Sequence, residues 1–317
     1  MLIKSPAVYL LAILCAMIVT PAQALVQRAF IASYGSDSNT ALNCDVTHPC
    51  RYFSTAVTVV SPDGEVVVLD SGNYGLVTLT QSISLTAAPG VYAGMSVPSG
   101  RTGVTIATPG VNVVLRGLTI NSQGGDVGVL MSAGAKLSIE NCVISNFLVF
   151  NGQFQYGILV TTPAKVRIVN TLARDNDVGI QLEAGATADI SESKFLGSYT
   201  AGIVAQNSIA GTTTVAAISN TVVSAGGVGI YAIADTASAA AKVDIIRSIV
   251  SNTATGISAE SAVGSASVSI RKSMVTRSST YGLSQKYNAT LTSFGNNTLT
   301  NNSTANVAGT LTTAAPL

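Results

Sequence analysis

The strongest constraint in this sequence is a repeat. A Gly followed by an aliphatic residue recurs at Gly128-Val129, Gly157-Ile158, Gly179-Ile180, Gly202-Ile203, Gly229-Ile230, Gly256-Ile257 and Gly282-Leu283. The intervals are 29, 22, 23, 27, 27 and 26 residues. Between these pairs lies a second block that aligns over eight turns: LRGLTI (115–120), IENCVI (139–144), IVNTLA (168–173), ISESKF (190–195), ISNTVV (218–223), IIRSIV (245–250), IRKSMV (270–275) and FGNNTL (294–299). Self-similarity at such a period belongs to solenoids, in which each unit buries its apolar face only against its neighbours.

Within each unit the local period is two, as in strands, and not the 3.6 of a helix. In the second block the first, fourth and sixth residues are apolar or small, so Leu118, Cys142, Thr171, Ser193, Thr221, Ser248, Ser273 and Asn297 form one inward column. The third residue is often Asn (Asn141, Asn170, Asn220, Asn296) and falls where the inward pattern changes phase. Asn tolerates left-handed backbone, so a bend is expected there, and stacked bends predict an Asn ladder between coils about 4.8 Å apart. Short strands, single-residue bends and a circuit of 22 to 29 residues describe an all-β parallel β-helix. Leucine-rich repeats share the period, but their L-x-x-L-x-L pattern is absent. Arg167 with Asp189, and Glu260 with Lys286, are expected side by side on the outer wall. A further outward column, Val143, Leu172, Val222, Ile249 and Met274, is apolar and suggests a covered or self-associating wall.

The N-terminus reads as an address. Lys4, an apolar run from Ala7 to Thr20 and Pro21-Ala22-Gln23-Ala24 predict a Sec signal peptide over residues 1–24, with a mature start at Leu25 and export to the periplasm or beyond. No later stretch reaches spanning length. Residues 25–62 are expected to cap the solenoid, with a short helix spaced on Phe53, Val57 and Val60 and ending near Pro62. Residues 63–311 are then the β-helix and 312–317 a tail. Export permits disulfides, and Cys44 and Cys50 flank a short polar turn, so they are expected to pair, leaving Cys142 as a small buried hydrophobe. Without Lys4 the chain carries 15 basic and 15 acidic groups, which gives no field for nucleic acid or anionic lipid.

The stretches RAFIASYGSDSN, PCRYFSTAV, SPDGEVVVLDSGNYG, GVYAGM and NVVLRGLTIN resemble bacterial secreted right-handed parallel β-helix proteins of the pectin-lyase-like superfamily. The resemblance covers most of the mature chain. It implies the right-handed sense, which the general bias of parallel crossovers also favours, and it implies polysaccharide as the ligand class. It assigns no activity, because that superfamily mixes lyases, hydrolases, epimerases and binding proteins. The N-T-D, D-D, G-H-G and R-I-K motifs of its polygalacturonase-like members are absent. The outward column after the Gly pairs, namely Leu130, Leu159, Gln181, Val204, Tyr231, Ser258 and Ser284, holds no carboxylate.

Two stretches are candidates for a site. Nine charged residues fall between Lys165 and Lys194. There Asp175 and Asp177 flank a bend as oxygen donors suited to Ca²⁺. Asp189 and Glu192 are candidates for an acid and base pair, with Arg174 to hold a sugar carboxylate. The longest circuit supplies the second candidate: Phe147, Phe150, Phe154 and Tyr156 would stack on sugar faces. With no recognisable catalytic motif, the expected role is an exported module that binds polysaccharide or a cell-surface glycan. The alternatives are a lyase or epimerase using residues 165–194, and an adhesive, self-associating solenoid.

Overall fold

The computed structural model describes residues 25–148 and 152–315. The expected signal peptide and Phe150 lie outside them. Every named strand pairing is parallel, and the strands fall into three ladders that form three faces of a β-helix. The first ladder has twelve strands, beginning with Val26–Ile31, Val60–Val68, Ile83–Ala87 and Asn112–Arg116. The second runs through Leu118–Gln123, Val143–Ser145 and Leu172–Arg174. The third runs through Val127–Ala133, Tyr156–Val160 and Val178–Leu182. In three later coils one long strand turns the corner between second and third faces: Lys194–Asn207, Val222–Ala234 and Ile249–Ser261.

Parallel pairing in register puts the same position of every coil in one column, so one residue type recurs. On the first face Leu115, Ile139, Ile168, Ile190, Ile218, Ile245 and Ile270 stack in register and are all buried. On the third face Val129, Ile158, Ile180, Ile203, Ile230, Ile257 and Leu283 do the same. Each such side chain contributes about 1.5–3 kcal/mol when removed from water. The Gly beside each third-face residue is dictated by the next coil. A Cβ on Gly128, Gly179 or Gly256 would lie 2.5, 2.4 or 2.4 Å from the carbonyl oxygen of the following repeat Gly.

The bends fall where the sequence places them. Asn141, Asn170, Asn220 and Asn296 have φ of 55, 47, 49 and 55°, in the left-handed region. Asn170 donates to Asn141 at 2.7 Å, as a ladder requires. The ladder is not continuous, because Glu192, Arg247 and Lys272 occupy the same bend with φ of 53, 48 and 49°. The bend side chain is exposed, so a long polar chain is accommodated, and Arg247 reaches back to donate to Asn220 at 3.0 Å.

After five of these bends the next residue is a buried hydroxyl, for a physical reason. The hydroxyls of Thr171, Ser193, Thr221, Ser248 and Ser273 each donate to the carbonyl two residues back. Ser193, Ser248 and Ser273 also accept from the previous coil: Thr171 N–H donates to Ser193 at 3.2 Å, Thr221 N–H to Ser248 at 3.2 Å and Ser248 N–H to Ser273 at 3.1 Å. The side chain thus satisfies backbone groups at the corner.

The N-terminal segment differs from expectation in one respect. The helix is a single turn, Phe53–Ala56, and Val60 already belongs to a first-face strand that extends past Pro62. Pairing of that strand with Val26–Ile31 on one side and Ile83–Ala87 on the other outweighs the local helical spacing. A 3₁₀ helix, Asp37–Leu42, precedes the disulfide between Cys44 and Cys50, whose Cα atoms are 5.0 Å apart. Closing so short a loop is worth about 2 kcal/mol in the chain-entropy account. Cys142 is free and buried, and burial pushes its thiol up to about 11. Native protein starting at Leu25 should therefore resist thiol reagents. Unfolding without reductant should expose one thiol per chain, and reductant two more; mass spectrometry of the labelled chain counts them, and three reactive thiols without reductant would disprove the bridge. Among the described residues no helix is long and apolar enough to cross a membrane.

Candidate ligand-binding groove

The charged stretch 165–194 runs through one full circuit and onto the next coil, and is spread around all three faces. Asp189 points outward on the first face, in register with Arg167, though Arg167 bonds Glu140 at 2.8 Å. Glu192 is the bend between first and second faces. Arg174 ends a second-face strand and pairs with Asp175 at 3.4 Å. Adjacency in sequence thus becomes separation in space, and Arg174 is not brought together with Asp189 and Glu192.

Asp175 and Asp177 are also parted. Asp175 has φ of 53° at the corner after the second face, with its side chain half exposed. Asp177 is fully buried. It accepts from the Thr200 hydroxyl at 2.5 Å and from Gln155 N–H at 3.3 Å. Its oxygens are occupied by the fold, so the two carboxylates do not fit a Ca²⁺ cage. Among the described residues no group of three or more His, Cys, Asp and Glu is placed to hold a metal.

The aromatic circuit divides as well. Phe147 is fully buried in the interior and its N–H donates to Asn176 at 3.1 Å, so it fills the core and offers no ligand surface. Phe150 lies outside the described residues. Phe154 is 58% exposed, and Tyr156 opens a third-face strand with its ring half buried. These two residues line a groove of about 410 Å³ on the outside of the third face.

The groove is assembled from four successive coils, roughly 14 Å at about 4.8 Å per coil. In-register pairing runs Tyr156, Val178, Ala201, Val228 in one outward column and Gln181, Val204, Tyr231 in the next. Val178, Ala201 and Val204 form an apolar cluster separate from the interior core, with Tyr156, Val228, Tyr231 and Ile233 packed against it. The floor is therefore apolar, Tyr156 and Tyr231 stand beside it, and Phe154 closes an edge.

Polar groups are few and ordered. Gln181 Nε2 donates to Glu183 and, at 3.1 Å, to Gln206 Oε1. Tyr231 Oη donates to Glu260 Oε2 at 2.6 Å, and Lys286 Nζ donates to the same oxygen at 3.2 Å. The expected register of Glu260 with Lys286 is thus observed. Partial burial raises the Glu260 carboxyl, but the bonds from Tyr231 and Lys286 outweigh it and hold it below its ordinary value. Burial, and then the bond to Glu260, pushes the Tyr231 phenol up, which keeps it a donor. Burial likewise raises Tyr156, with the charges of Glu183 and Asp177 adding to it. Such a site can stack a ring on aromatic and aliphatic surface and exchange hydrogen bonds with hydroxyls.

The sequence points to Phe154 and Tyr156, which line the groove, but not to Tyr231, Gln181, Gln206 and the valine floor beside them. The signal was present: Gln181, Val204 and Tyr231 form the outward column next to the repeat glycines. That column lacks a carboxylate, and what it offers to the groove is an amide, an aliphatic and an aromatic side chain. The apolar column on the second face is outward too, with Ile249 and Met274 exposed and Lys194 interrupting it.

A family model described as the right handed β-helix region matches residues 102–262. Among solved structures, pectate lyase Pel9A is similar with a TM-score of 0.62 and 13% identity, over 86% of this chain and 80% of that one. At that identity the likeness concerns the fold alone. Tailspike protein 2 from Escherichia coli O157:H7 bacteriophage CAB120 gives 0.48 at 14% identity, covering 76% of this chain and 35% of that one. The A-module of the Azotobacter vinelandii mannuronan C-5 epimerase AlgE6 gives 0.42 at 13%, covering 89% and 97%. No curated protein matches the sequence.

Proposed function

This chain belongs to the family of right-handed β-helix proteins, and on that premise we propose that it is an exported module that binds polysaccharide in the groove outside its third face. The observation that carries the reading is the apolar cluster Val178, Ala201 and Val204, placed outside the coil and flanked by Tyr156 and Tyr231. A β-helix that needed only its interior would carry polar residues there. An apolar floor with aromatic walls and a few amides suits the C–H faces and hydroxyls of a sugar chain. The fold likeness to a pectate lyase is in keeping with such a ligand. Export through the Sec pathway to the periplasm or cell surface rests on the signal-like residues 1–24 and on the Cys44–Cys50 bridge.

The test is calorimetric titration of the chain from Leu25 with a panel of oligosaccharides, with Ca²⁺ present or absent. Tyr156→Ala and Tyr231→Ala are each expected to weaken binding at least about tenfold, on the scale of an aromatic hot spot, with unchanged circular dichroism. Binding that survives both substitutions would reject the groove. Unsaturated product or new reducing ends in the same wells would replace a binding module by an enzyme.

A further inference from the structure

We propose that the groove takes a neutral glycan and discriminates against polyuronates; this rests on the binding reading above and names its ligand class. Among the described residues that line the groove, Glu183 carries the only charge, and it is negative. Gln181, Gln206, Thr200 and the hydroxyls of Tyr156 and Tyr231 supply the remaining polar side-chain atoms, and no Lys or Arg is among them. A uronate carboxylate is an acceptor without a donor, so it cannot bond Glu183, whereas a sugar hydroxyl can donate to it.

The field around the groove has the same sign. Asp177 lies buried behind Tyr156's neighbour Gln155, and its charge together with that of Glu183 acts on the Tyr156 phenol. Asp235 accepts from Gln206 Nε2 at 3.4 Å at the far edge. The basic groups on this face are held away from the groove or neutralised. Lys286 is committed to Glu260. Arg101 lies toward the N-terminal end, with Asp126 on the coil between it and Tyr156, as the backbone bonds Asp126 N–H to Arg101 O and Tyr156 N–H to Asp126 O show. Arg174 is paired with Asp175 at the corner. A polyanion entering the groove therefore meets like charge in a partly desolvated site, where such repulsion is weakly screened.

The experiment titrates wild-type protein, Glu183→Gln and Tyr231→Ala with neutral hexasaccharides (cellohexaose, xylohexaose, mannohexaose) and with hexagalacturonate and hexamannuronate, at low and at high salt. The expected result is neutral binding that is lost in Tyr231→Ala. Uronate binding should be at least about tenfold weaker, strengthened by salt, and raised about tenfold by Glu183→Gln. Uronate binding as tight as neutral binding, weakened by salt and lost in Tyr231→Ala, would overturn the charge argument while leaving the groove as the site. Absence of binding to both sets, or binding of either that Tyr231→Ala leaves unchanged, would instead reject the groove itself.

Discussion

Gly229→Ala should lower the unfolding free energy by about 3 kcal/mol, at the upper end of the cost of forcing a methyl group into a packed interior. A Cβ there would lie 2.5 Å from the Gly256 carbonyl oxygen and 2.5 Å from Val250 Cγ1. Neither neighbour can yield cheaply, since one is backbone of the next coil and the other is a buried core side chain. The same crowding recurs along the column, so Gly179→Ala should behave alike, with a Cβ 2.4 Å from the Gly202 oxygen. Gly211→Ala is the control. Its φ is +75° and nothing lies within 4 Å, so only the left-handed strain of about 1 kcal/mol applies. Denaturant unfolding of the three variants checks this. Equal losses at Gly211 and Gly229 would show that backbone freedom, and not the approach of the next coil, selects glycine.

Asp177→Ala should cost about 2–3 kcal/mol, because it leaves the Gln155 N–H buried without its acceptor and removes the partner of the Thr200 hydroxyl. Asp175→Ala should cost less than about 1 kcal/mol. The side chain is half exposed, its ion pair with Arg174 is a surface one, and Ala225 already holds the equivalent corner with φ of 61°. Calcium should leave the melting temperature of the wild type unchanged, since Asp177 has no oxygen to spare. A calcium-dependent rise in the wild type that either substitution removes would restore the metal reading of these two carboxylates. Thermal scans with calcium and with chelator make the comparison.

The two substitutions also show why the site was hard to read from the chain. Nine charges within 165–194 look like a cluster, but the coil carries them around three faces and onto the next turn. Arg174, Asp175 and Asp177 sit close in sequence, yet one ends a strand, one makes the corner and one is buried behind it. Conversely, Tyr156, Gln181, Val204 and Tyr231 lie about one circuit apart and meet in one groove. In a parallel coil, neighbours in space are neighbours at the repeat period, so a site is read down columns and not along segments.

The circuit 146–156 illustrates a second limit. Four aromatics lie close in sequence, but Phe147 turns into the core and Phe154 to solvent. Where a circuit lengthens, the period-two rule is suspended and the direction of each side chain is set by what it packs against. The helix expected over Phe53, Val57 and Val60 is shortened to Phe53–Ala56 for a related reason: Val60 joins a strand paired on both edges, which outweighs one more helical turn.

What the sequence determined by itself is whatever repeats. The coil, its bends at Asn141, Asn170, Asn220 and Asn296, the buried small column from Cys142 to Ser273 and the Gly column all follow from stacking in register, which demands one residue type at one position in coil after coil. Which outward residues form a site was decided only by the tertiary structure. Outward positions are under no stacking rule, so their pattern varies from coil to coil. Their meaning arises only when neighbouring coils set an apolar floor, two tyrosines and a lone carboxylate against one another.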